Sequence, residues 1–69
     1  MNDIEVFVNG DRRRVADGTT VADLVATLTT AAKGVAVAVD ESVVPRGAWA
    51  ETVLDAGSRV EVLTAVQGG

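Results

Sequence analysis

Ile4-Glu5-Val6-Phe7-Val8-Asn9-Gly10 decides the first half of the fold. Ile4, Val6 and Val8 alternate with Glu5, Phe7 and Asn9, the period of two expected of a strand with one face buried. Asn9-Gly10 follows at once and accepts the positive φ values of a type I′ turn, so the chain is predicted to double back into a second strand over residues 11–16. That strand carries Arg12, Arg13 and Arg14, whose side chains divide between the two faces. The triplet reads either as an edge whose charges discourage edge-to-edge association or as a docking patch for an acidic partner.

Working outward, Asp17-Gly18 marks a turn, and Thr20-Val21-Ala22-Asp23 resembles a capping box. Val21, Leu24, Val25 and Leu28 recur at helical spacing and give one apolar stripe suited to lying across a sheet. β-Branched Thr27, Thr29 and Thr30 weaken the second half of a helix of about three turns, and Gly34 fits the position just past its end, after Lys33. Val35-Ala36-Val37-Ala38-Val39 is apolar throughout, as expected of a strand covered by the helix and flanked within the sheet. Asp40-Glu41 reads as a turn; two acids without further ligands make a poor metal site. Ser42-Val43-Val44 forms a short strand that Pro45 stops, and Pro45 to Trp49 is a single-turn element. After a turn at Asp55-Ala56-Gly57-Ser58, Val60, Val62, Thr64 and Val66 alternate with Arg59, Glu61, Leu63 and Ala65 in a last strand.

The order is strand, strand, helix, strand, short strand, strand. It predicts an α+β domain with a mixed four- to five-stranded sheet and one main helix packed on one face. A strand at each end and a helix between two hairpin-like halves match a ubiquitin-like β-grasp over residues 1–66, followed by a flexible diglycine tail at 67–69. Pattern alone does not make the first and last strands parallel neighbours.

Sixty-nine residues allow one domain, too small to wall a deep pocket, so an autonomous enzyme is not expected. Six basic and ten acidic side chains give a net charge of −4, which disfavours nucleic acid and anionic lipid. With no Cys and no His, the chain lacks thiolate and imidazole metal ligands and the usual nucleophile–base pairs. No apolar run approaches the ~20 residues of a membrane span, and the acidic Met1-Asn2-Asp3 start is unlike a signal peptide. A cytoplasmic location is the expectation.

Gln67-Gly68-Gly69 is where chemistry remains. Glycine brings no side-chain bulk, so an extended tail can thread a channel too narrow for other residues. Its carboxylate is a poor acyl donor until activated. Transfer of AMP from ATP to Gly69 would give a mixed anhydride, and attack by a persulfide sulfur would lead to a thiocarboxylate. The chain itself then binds no cofactor, ATP being used by the activating partner.

At these residues the sequence resembles the sulfur carrier proteins of thiamine thiazole biosynthesis, the ThiS type. The turn and helix start Gly18-Thr19-Thr20-Val21-Ala22-Asp23-Leu24-Val25, the segment Val43-Val44-Pro45-Arg46-Gly47-Ala48-Trp49, similar to a V-P-R-x-x-W element, and Gly68-Gly69 carry the likeness. The resemblance implies a β-grasp, adenylation of Gly69 by an E1-like adenylyltransferase, sulfur from a donor protein, and delivery of the thiocarboxylate to thiazole synthase. Asp40 stands where many relatives place Asn, and the 55–58 turn also departs from the common form.

Phe7 and Leu63 fall on the sheet face away from the helix and are candidate partner contacts. Arg46 is a third, unless it stacks on Trp49 or bonds nearby carbonyls. Trp49 itself reads as core at the sheet edge or as a partner hot spot. Competing readings are a thiocarboxylate carrier of the molybdopterin synthase type, a ubiquitin-like protein modifier, and an RNA- or regulator-binding module, the last disfavoured by charge.

Overall fold

Asn9 (φ 51°) and Gly10 (φ 89°) both adopt the left-handed backbone of a type I′ turn, joining β1 (Asp3–Val8) to antiparallel β2 (Asp11–Ala16). The computed structural model describes residues 2–28 and 34–64. α1 (Val21–Leu28) follows, then β3 (Val35–Val39), β4 (Ser42–Val44), a 3₁₀ helix at Arg46–Glu51, and β5 (Arg59–Thr64). The predicted end of the helix before Gly34, the last strand's continuation to Val66 and the 67–69 tail lie outside the described residues.

The capping box forms as expected. Thr20 N–H donates to Asp23 Oδ2 at 3.2 Å, and Asp23 N–H donates to Thr20 Oγ1 at 3.1 Å. Val21 N–H, otherwise unsatisfied in the first turn, donates to Thr52 O at 2.9 Å. Leu54 N–H donates to Thr19 O at 2.9 Å, so the helix start and the segment around Val53 are pinned together.

The sheet order is β2-β1-β5-β3-β4. β1 and β5 are central and parallel, with Phe7 opposite Arg59 and Val8 opposite Val60, while β3 runs antiparallel to both β5 and β4. Only two residue pairs make up the parallel ladder, and the side chain of Asn9 extends it. Asn9 Oδ1 accepts from Val62 N–H at 2.9 Å, and Asn9 Nδ2 donates to Val62 O at 3.2 Å. A side-chain amide thereby continues the pairing where the β1 backbone has already turned away.

Val6, Val8, Val37, Val60 and Val62 point inward from the strands and pack with Val21, Leu24 and Val25 of α1. Trp49 and Leu54 close this core, and Trp49 Nε1 donates to Val44 O at 2.9 Å, which satisfies the indole as it is buried. The Trp49 side chain is therefore core, as the first of its two sequence readings holds. Buried Ser58 accepts from Asp55 N–H at 3.0 Å within the last turn. Asp40 (φ 50°) and Glu41 (φ 73°) form a two-residue turn between β3 and β4. Asp40 N–H donates to Arg59 O at 2.8 Å, and its Oδ1 accepts from Arg59 N–H at 3.0 Å, tying this hairpin to the start of β5.

Candidate functional site

β5 supplies both a central strand and the path to the tail. Because Val60 and Val62 face the core, Arg59, Glu61 and Leu63 face the opposite, open side of the sheet. On that side Glu61 is opposite Ala38, Leu63 is opposite Ala36, and Val43 is opposite Ala38. Leu63 is 66% exposed and Val43 78% exposed. The alanines between them have too little bulk to shield either. A shallow depression of about 90 Å³ runs among Ala36, Ala38, Val43, Glu61 and Leu63.

Phe7 shares this face but stands elsewhere on it. Its register partner is Arg59, so it lies four residue steps, roughly 13 Å, from the level of Leu63. It is half-buried, and the arginines paired with it are Arg12 on β2 and Arg59 on β5. A second depression of about 300 Å³ is lined by Phe7, Gly10, Arg59 and Glu61. The outer face thus has two lobes with Glu61 lining both. Sequence alternation found Phe7 and Leu63 but neither their separation nor Val43, whose partner on β3 is a matter of register.

β4 and β5 are both antiparallel to β3 and run in the same direction, with Val44 and Val62 both opposite Val37. Pro45 and Arg46 therefore leave the sheet at the end where β5 finishes at Thr64. Arg46 is exposed, and among the described residues it has no hydrogen-bond or ion-pair partner. A guanidinium at this end of the sheet can pair with a carboxylate or phosphate. Residues 65–69 span at most ~18 Å when extended. Gln67, Gly68 and Gly69 lie outside the described residues.

Among the described residues no group of three or more acidic, His or Cys side chains is placed to hold a metal, and no helix is long and apolar enough to cross a membrane. The open face has exposed apolar groups and the Glu61 carboxylate between its two lobes, and Arg46 stands at the end of the sheet where β5 finishes. This arrangement can bind another protein, whereas it presents no nucleophile with a base beside it.

A family model described as the ThiS family matches residues 6–69. The crystal structure of a thiamine biosynthesis protein (ThiS) from Geobacter metallireducens is similar, with a TM-score of 0.80 and 30% sequence identity. The match covers 96% of this chain and 100% of that one. Among curated proteins no match is found.

Proposed function

Since the chain belongs to the ThiS family, we propose that it is a sulfur carrier of thiamine biosynthesis, a protein co-substrate whose reacting group is the Gly69 carboxylate. The observation that carries this reading is a family match running through Gly68-Gly69 on a β-grasp whose central strand leads toward them. An adenylyltransferase holds ATP. The Gly69 carboxylate attacks the α-phosphorus, pyrophosphate leaves, and an acyl adenylate forms. The terminal sulfur of a donor protein's persulfide then displaces AMP, giving an acyl disulfide. A thiol cleaves that S–S bond and is itself oxidised to a disulfide, while the carrier leaves as the thiocarboxylate. Thiazole synthase receives the sulfur.

The chain's own residues supply position. Leu63 and Val43 offer apolar contact next to the strand that ends at the tail, and Arg46 offers charge at the same end of the sheet. Phe7 would make a separate contact on the far lobe. Gln67 and Gly68 form the narrow stem that enters the partner's site.

Intact-mass analysis after incubation with the cognate adenylyltransferase, ATP and a persulfide donor tests the reading. The expected product has one terminal oxygen replaced by sulfur. Deletion of Gly69 should abolish ATP–pyrophosphate exchange while leaving the circular dichroism spectrum unchanged; retained exchange would overturn the assignment of the reacting group.

A further inference from the structure

The opposite rim of the sheet carries features that the carrier chemistry does not use. β2 is an edge strand, and three of the chain's six cations are consecutive on it: Arg12, Arg13 and Arg14. Asp17 N–H donates to Asn2 O at 2.8 Å, which sets the phase of the antiparallel ladder. Hydrogen-bonded pairs are then Val8 with Asp11, Val6 with Arg13, and Ile4 with Val15. The backbone N–H and C=O groups of Arg12 and Arg14 consequently point away from β1, toward open space.

Side chains alternate about this row of free backbone groups. Arg12 and Arg14 lie on the outer face, where Arg12 Nη1 is 4.0 Å from Glu5 Oε2, a weak and exposed pairing. Arg13 and Val15 lie on the helix side, opposite Val6 and Ile4. There they border a groove of about 510 Å³ between β2 and α1, whose other walls include Leu24 and Thr27. Asp23 also lines it, but its carboxylate accepts the Thr20 amide in the capping box. Among the described residues neither Arg13 nor Arg14 has an acidic partner within ion-pair distance.

We infer that the β2 edge and the adjoining groove form a second docking site, which takes an extended acidic segment of a partner protein as an added sheet strand. Strand addition supplies main-chain bonds at Arg12 and Arg14, and alternate side chains of the segment reach the groove and the outer arginines. Charge selects the occupant. The three arginines repel the same strand of a second copy, and in a chain of net charge −4 they are the one run of consecutive cations in the sequence, which suits an acidic segment. The site is separate from the face around Leu63 and does not depend on the sulfur-carrier reading.

The test is an NMR titration of the full chain with a capped hexapeptide of alternating glutamate and valine. Saturable shifts should appear at residues 12–16 and at Leu24 and Thr27, with slowed hydrogen exchange at the Arg12 and Arg14 amides. The same peptide with lysine for glutamate should give neither. Because the N–H of residue 14 faces outward, Arg14→Pro should leave the hairpin intact and weaken binding roughly tenfold or more, while Arg14→Gln weakens it less. If Arg14→Pro fails to fold, the double variant Arg12→Glu/Arg14→Glu decides: it must lose the glutamate peptide and accept the lysine one. Shifts centred on Leu63, absence of saturation, equal binding of an oligouridylate, or self-association through residues 12–16 would each overturn the proposal.

Discussion

Asn9 performs two tasks that a single substitution can separate. Its left-handed φ of 51° serves the turn, and its amide exchanges two hydrogen bonds with Val62, a residue 53 positions away. Asn9→Gly keeps the turn and strips the amide, so unfolding in urea should show a loss of about 1–2 kcal/mol. The turn role was legible because Asn-Gly is a local signal. The bridge was not, since it depends on which strand arrives beside β1. Glu41 presents the reverse case: at φ 73° it has a Cβ in backbone space that favours glycine. Glu41→Gly should raise stability by about 0.5–1 kcal/mol, read as a higher urea midpoint at constant slope.

Helix and strands were legible as elements because each carries its own period or cap: Ile4, Val6 and Val8 alternate, Thr20 and Asp23 form the box, and Val21, Leu24 and Val25 share a helical face. The segment around Leu54 was not. It has no period, yet Leu54 is 1% exposed and its N–H bonds Thr19, so it roofs the core beside the helix start. Leu54→Ala should cost about 3 kcal/mol by the lost contacts and the cavity left behind, measured by thermal or urea unfolding. Thr20→Ala should cost about 1 kcal/mol, because Asp23 N–H loses its acceptor at the helix start. A result for Leu54 no larger than for Thr20 would mean that the 52–54 segment is a surface strap and not part of the core.

At the scale of the molecule, the open sheet face is not uniform. Under the proposed carrier reading, Leu63→Glu should weaken binding to the activating enzyme more than Phe7→Glu, because Leu63 is exposed at the end of β5 while Phe7 lies about 13 Å away and is half-buried. Calorimetric affinities with matched melting curves would check this ordering; equal effects would mean that the partner spans both lobes. Alternation placed both residues on the correct face, whereas the distance between them follows from parallel pairing of β1 with β5, which no local pattern encodes. That pairing has a biological corollary. The polypeptide's last described strand is the keystone between two hairpins, so a fragment cut ahead of Arg59 loses the strand that pairs with both β1 and β3 and keeps only the helix and its contacts with residues 52–54 to hold its halves. Such a fragment would expose two sticky rims and go to proteolysis or aggregation, not linger as a well-folded decoy that blocks the activating enzyme without an end to activate.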